Sequence, residues 1–187
     1  LPILSKFNRI MPPTCKLERC FEFLAGRASE VDQLFSRLLS TVGPTLKEKI
    51  VLVAAGGYGR RELNVYSDID VMLLYEGVSK TTLEELVQKT FYPLWDQGYT
   101  IQSTIRTLKD CKTMLHGELR SRTALLEHRW VWGHLPLYQR FVTLLEKHWG
   151  KKKNRRLFFK EKLAEMEARH LRFEETVFLL EPHLKEG

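Results

Sequence analysis

Between Lys16 and Leu39, apolar side chains return at the three-and-four spacing of a helix: Leu17, Phe21, Leu24, Val31, Leu34, Phe35, Leu38 and Leu39. Gly26 interrupts the stripe, leaving one long helix or two short ones open, and Gly43-Pro44 closes it. The pattern then changes. Lys49 to Ala55 is a short β-branched apolar run of the kind that forms a buried strand. It runs into Gly56-Gly57-Tyr58-Gly59-Arg60, and after a polar turn Asp68 to Tyr75 reads as a second strand. Thr81 to Gln97 is helical, with Thr81 or Thr82 as its cap ahead of Glu84 and Glu85. From Tyr99 to Arg106 the residues alternate, with Thr100, Gln102, Thr104 and Arg106 on one side and Ile101, Ser103 and Ile105 on the other. That is a third, half-buried strand.

From Thr107 onward the spacing predicts helix throughout, at about 107–118, 121–132, 135–148 and 154–176, divided by Gly117, Gly133 and Gly150. The last residues, Leu180 to Gly187, contain a helix stop at Pro182 and read as cut off rather than finished. The expected architecture is α+β. A helical segment (1–44) precedes a small mixed sheet with its helices (45–110), and a helical domain follows (111–187).

Composition adds limits. With 187 residues, 43% of them hydrophobic and 28% charged, the chain can bury a core and has an ordinary globular balance. No apolar run approaches the roughly 18 residues that span a bilayer, and the first residues lack a signal-peptide pattern. Three cysteines, Cys15, Cys20 and Cys111, have no metal-ligand spacing and suit a reduced cytoplasm. The net charge of +7 favours anionic partners without choosing among them. Nucleic acid is the weakest of these, because the basic residues are scattered and no aromatic platform accompanies them. The run from Lys151 to Arg156 reads as a solvated inter-helix loop or an anion contact.

The chemistry is concentrated where the second strand begins. Residues two apart on a strand point to one face, so Asp68 and Asp70 stand side by side while Ile69 turns into the core. At a separation near 6 Å and an effective dielectric of 20, two carboxylates repel by about 3 kcal/mol. A hard divalent cation offsets that, and Mg²⁺ favours one or two carboxylates plus phosphate oxygens over an all-protein cage. The preceding turn supplies the other half. Gly56, Gly57 and Gly59 let the main chain approach a ligand closely, and successive N–H groups there form an anion nest for a triphosphate. Arg60 and Arg61 are placed to add charge-assisted bonds. The glycine cluster alone reads as a tight turn, and the paired aspartates alone as a solvated strand start. Their order between two strands is what makes the combination specific.

The stretch Gly56-Gly57-Tyr58-Gly59-Arg60-Arg61-Glu62-Leu63, followed by Ser67-Asp68-Ile69-Asp70, resembles the polymerase-beta-like nucleotidyltransferases. It is similar in particular to the N-terminal transferase domain of the bacterial PII-protein uridylyltransferases. Further blocks look alike: Leu94 to Gly98, Ile105 to Leu108, Ala124 to Arg129, Lys162 to Glu165 through Arg169-His170, and Leu180 to Gly187. The resemblance covers about 45–187. It implies transfer of UMP from UTP to a tyrosine of a PII-type signalling protein, with Mg²⁺ or Mn²⁺ held by Asp68 and Asp70. It also implies nucleotide contacts by Gly56, Gly57, Arg60 and Ser67, and phosphate contacts by Lys162 and Arg169. The family's full protein adds hydrolase and glutamine-sensing domains that 187 residues do not hold, so a fragment is expected.

One departure matters. Where the resemblance implies a third carboxylate, on the strand after the Trp-Asp block, this chain has Thr100. A hydroxyl is neither a general base near neutral pH nor a good metal ligand, so a two-metal mechanism loses support. A nucleotide-sensing or docking module without catalysis is the second expectation.

Other candidates stay open. Arg106 shares the face of Thr100 and reads equally as a triphosphate contact or as an ion-pair partner of Asp68, Asp70 or Glu127. Lys162, Glu165, Arg169 and Arg172 fall on one helix side, which also describes a solvated, salt-bridged face. His170 is expected to be structural or a nucleotide contact, and His116, His128, His134 and His148 to lie on helix surfaces. Trp95, Trp130, Trp132 and Trp149 read as packing anchors.

Overall fold

A computed structural model describes residues 17–172. The expectations for Leu180–Gly187 and for helix beyond residue 172 lie outside the described residues. The first stripe forms one continuous helix, α1 (Leu17–Leu39), because Gly26 meets no neighbour and simply continues the helix. Ala28, Val31, Phe35 and Leu39 form its buried face. A single turn, α2 (Pro44–Lys47), leads into β1 (Ile50–Ala55). The glycine turn is α3 (Gly56–Gly59), followed by β2 (Ile69–Tyr75), α4 (Lys80–Asp96) and β3 (Ile101–Arg106). Ser79, not Thr81 or Thr82, caps α4, accepting a hydrogen bond from the Thr82 amide at 3.2 Å. Two short helices, α5 (Leu108–Met114) and α6 (Leu119–Ala124), precede β4 (His128–Gly133), and the long helices α7 (Leu135–Trp149) and α8 (Lys152–Arg172) complete the described chain.

The four strands form one mixed sheet in the order β3-β2-β1-β4. β1 runs antiparallel to both its neighbours, and β2 runs parallel to β3. The strand β4 corrects the expectation of helix over 121–132. His-Arg-Trp-Val-Trp-Gly is a six-residue run whose apolar content suits either period, and pairing with the exposed edge of β1 decides it. The sheet therefore draws a strand from beyond residue 110.

Alternation divides the core into two layers. Ile50, Leu52, Ala54, Val71 and Leu73 face α1 and α4. Val51, Val53, Met72 and Leu74 face the other way, against Cys111, Leu115, Leu137, Phe141 and Leu145 of the 108–149 region. Burying such side chains stabilises by about 1.5–3 kcal/mol each.

Two other expectations change. Trp132 is buried, but Trp95 and Trp130 are 40% and 39% exposed and do not anchor the core. His128 lies in β4 with Nδ1 3.0 Å from the Tyr138 hydroxyl, and His134 precedes α7, so neither is a helix-surface residue.

Candidate functional site

The sheet ends where its chemistry begins. β1 leaves the core at Ala55 and turns at once into Gly56, whose φ of +54° is a left-handed conformation that favours glycine. A Cβ on Gly56 would lie 3.1 Å from Asp70 Oδ2. The turn and the carboxylate are thus in direct apposition, with space for the backbone only because no side chain intervenes. Gly59 makes the second close approach. A Cβ there would meet the carbonyls of Ala54 and Glu127 at 3.1 Å each, so the turn threads between the end of β1 and the start of β4.

Hydrogen bonds fix the turn. The Gly56 amide donates to the Glu127 carbonyl at 3.2 Å, Arg60 N–H to the Gly56 carbonyl at 3.0 Å, and Glu62 N–H to the Gly57 carbonyl at 2.8 Å. From the helix side, Tyr58 OH donates to Asp32 Oδ1 at 2.6 Å. Arg129 of β4 donates to both oxygens of Asp32, at 2.8 and 3.0 Å, and to the Tyr58 carbonyl at 3.3 Å. Burial first, then the Asp32 hydrogen bond and charge, push the Tyr58 phenol far above its ordinary pKa, so it remains a donor.

Asp70 is half-buried in the second position of β2, while Asp68 and Ser67 are exposed just before the strand. The amide of Ile69, which is buried as expected, donates to the Thr100 carbonyl at 2.8 Å, and Ile69 pairs with Ile101. Thr100 therefore flanks Asp68 across the β2–β3 pair, exposed, and Gln102 is the partner of Asp70. Among the described residues, no group of three or more His, Cys, Asp or Glu side chains is placed to hold a metal ion. The donor set is two hard carboxylates beside a glycine cradle. That matches the kind of site in which Mg²⁺ takes its remaining ligands from phosphate and water, and not a closed protein cage.

The other candidates are distributed differently. Arg60 reaches between two acids, donating to Glu62 at 2.7 Å and to Glu127. Glu127, a sequence-expected partner of Arg106, is thus the partner of Arg60. Arg106 stands opposite Leu74, four residues along β3 from Gln102, which is about 13 Å at a strand rise near 3.3 Å. Its charge acts on Asp110 and Cys111 of α5. The structure does not bring it to the glycine turn. On α8, Lys162 Nζ lies 2.6 Å from Glu165 Oε2, and the Lys162 hydrogen bond first, with Arg169 further away, lowers the Glu165 carboxyl. α8 packs on α6 and α7. The structure thus sets Gly56 against Asp70, with Gly57 next in the turn and the exposed Ser67 and Asp68 just ahead of β2. Arg106, Lys162 and Arg169 lie on other elements.

Asp32 was not legible in the sequence as a site residue. One acid on a helix otherwise reads as a solvated face, and only its position between the buried Ala28, Val31 and Phe35 signals that it points inward.

No protein-family model matches the chain. Two chains from toxin–antitoxin crystal structures, one described with AMP-PNP, overlap 71% of this chain and 98% of their own at TM-scores of 0.41 and 0.42, with 15% and 14% identity. That overlap is too loose to bear on the site. Curated proteins are much closer in sequence. The bifunctional uridylyltransferase/uridylyl-removing enzyme of Erythrobacter litoralis is 36% identical over 176 residues, covering 89% of this chain and 19% of that enzyme. The proteins of the same name from Azospirillum brasilense and Thiobacillus denitrificans are 32% and 36% identical over 92% and 90% of the chain. The chain spans less than a fifth of each of these relatives' own length. Over some nine-tenths of its own length, this chain is a homologue of the bifunctional uridylyltransferase/uridylyl-removing enzymes.

Proposed function

We propose that the chain carries a nucleotidyl-transfer site that moves UMP from UTP to a hydroxyl, a tyrosine of a PII-type signalling protein being the acceptor. The observation that supports this most is the apposition of Asp70 Oδ2 to Gly56, which sets a carboxylate beside a glycine turn that a phosphate can approach closely. In this reading Asp68 and Asp70 hold Mg²⁺ or Mn²⁺, which when bound neutralises triphosphate charge. The Gly56-Gly57 backbone cradles phosphate oxygens, with Ser67 at the rim. Arg60 contributes positive charge after exchanging Glu62 or Glu127 for phosphate. An acceptor oxygen attacks the α-phosphorus and loses its proton to solvent. The bond to the β-phosphate breaks, and pyrophosphate leaves. Contacts by Arg106, Lys162 and Arg169 then require approach of β3 or α8 to the nucleotide.

The test is transfer of label from α-labelled UTP to a PII-type protein. The chain with Asp68→Asn and Asp70→Asn should lose transfer by about 10³-fold or more, given what preorganised charge stabilisation contributes. Unchanged turnover would remove the claim.

A second reading is favoured by Thr100, exposed beside Asp68 where the resemblance implies an acid. In it the chain binds nucleotide without catalysis, as a sensing module. Binding without transfer in the native chain, with transfer restored by Thr100→Glu, supports this second reading; transfer by the native chain rules it out.

No helix of the described residues is long and apolar enough to cross a membrane. A cytoplasmic setting belongs to the proposal, as do UTP and the acceptor.

A further inference from the structure

A nucleotide site of this kind needs its glycine turn held still, and hydrogen bonds along the turn itself do not fix its angle to β2. The Gly56–Glu127 bond ties the turn to the start of β4, and Tyr58, within Gly56-Gly57-Tyr58-Gly59, adds a tie that is held at both ends. Its hydroxyl is fixed by Asp32 of α1 at 2.6 Å, and its carbonyl by Arg129 of β4 at 3.3 Å. The two anchors are joined. Both Arg129 terminal nitrogens meet the two Asp32 oxygens, at 2.8 and 3.0 Å, in the planar paired geometry that fixes orientation as well as distance. The Arg129 guanidinium carbon also sits 5.2 Å from the Tyr58 ring centre.

The chemistry argues against a purely stabilising role. Val31 and Phe35 already give α1 its apolar contact with the core, and the buried Tyr58 hydroxyl would need only a neutral acceptor, not the paired charges of Asp32 and Arg129. Taking an Asp–Arg pair to side-chain exposures of 22% and 18% costs desolvation that its mutual attraction only partly repays. What such a pair supplies is geometry. Here the geometry it sets is the position of a turn whose first residue leaves no free room for a Cβ beside Asp70 Oδ2.

We infer that Asp32, acting through Arg129 and Tyr58, is a positioning residue that holds the Gly56-Gly57 turn in register with Asp70, so that the N-terminal helix is part of the nucleotide site. The inference rests on the proposed function for its consequence, and on the network alone for its geometry. Asp32 touches no reacting atom; its effect reaches the site through one tyrosine. Displacing a site group by 1 Å costs up to about 10²-fold in rate, so a network of this reach matters.

The test compares the 187-residue chain with Asp32→Asn, Tyr58→Phe and a control, Leu39→Ala, which is buried on the same helix away from the turn. Two quantities are read: amide hydrogen exchange without nucleotide, and calorimetric affinity for UTP with Mg²⁺. Asp32→Asn and Tyr58→Phe should speed exchange of the Gly56, Arg60 and Glu62 amides by about tenfold or more, leave Leu52 in β1 unchanged, and weaken UTP binding by a similar factor. Leu39→Ala should lower Tm without either local effect. The inference is overturned if the turn amides of Asp32→Asn exchange as in the native chain, or if exchange rises uniformly as in Leu39→Ala. Should the native chain itself fail to bind UTP with Mg²⁺, the proposed function fails, and exchange still decides whether Asp32 holds the turn.

Discussion

Arg61 carries a cost that its neighbours do not. It is the one non-glycine residue with positive φ, at +62°, among the described residues, and it follows directly on the glycine turn. A left-handed conformation costs an L-residue roughly 1–2 kcal/mol, part of which glycine recovers despite its greater chain entropy. Arg61→Gly should therefore raise stability by about 1 kcal/mol and Tm by about 2–4 °C, measured by thermal denaturation. A lower Tm would mean that the exposed Arg61 side chain contributes more than its backbone costs. The left-handed turn at Gly56 and its closeness to Asp70 are legible in the sequence, because glycine and paired carboxylates carry conformation and charge wherever they occur. Asp32 and Arg129 are silent, because a pair 97 residues apart leaves no local pattern.

Among the elements, β1, β2, β3, α1, α4 and α7 follow their hydrophobic periods to within a residue or two, as does the start of α8. β4 does not, because six residues rich in Trp and Val are too short to distinguish one period from the other, and a sheet edge settled the matter. The cap of α4 lies at Ser79, ahead of the threonines the sequence suggested. The cap of α5 is a full reciprocal box: Thr107 Oγ1 accepts from the Asp110 amide at 3.2 Å, and Asp110 Oδ2 accepts from the Thr107 amide at 2.8 Å. The Thr107 amide bond first, then the Thr107 hydroxyl donating to the same oxygen at 2.7 Å, hold the Asp110 carboxyl below the usual range. α5 closes the face of the sheet that carries Met72 and Leu74. Thr107→Ala should cost about 1 kcal/mol of stability, read from the urea midpoint at unchanged slope. No shift of the midpoint would show that α5 is held by Cys111 and Leu115 alone.

For the whole molecule, acid is the expected weakness. Burial lowers the His128 pKa from 6.5, as the ring packs 5.0 Å from Phe141, and burial followed by the charges of His116, Arg122 and Lys151 lowers His148. Above pH 6.5 both imidazoles are neutral in the folded and unfolded chains, and their contribution is complete. As pH falls below that value the unfolded chain takes up protons first, so stability declines toward the lowered folded values. Tm should thus fall between about pH 7 and pH 5.5, and His128→Gln should flatten that slope while lowering Tm at pH 7. An unchanged slope would show that His128 does not set it.

In the proposed function, two aspartates and a glycine turn form one metal–triphosphate pocket. Its most direct measurement is Mn²⁺ binding by electron paramagnetic resonance, with and without UTP, in the native chain and in Asp70→Asn. UTP should tighten Mn²⁺ binding to the native chain, and Asp70→Asn should abolish the tightening while the fold, read by circular dichroism, is retained. Equal Mn²⁺ binding in both proteins, indifferent to UTP, would contradict it.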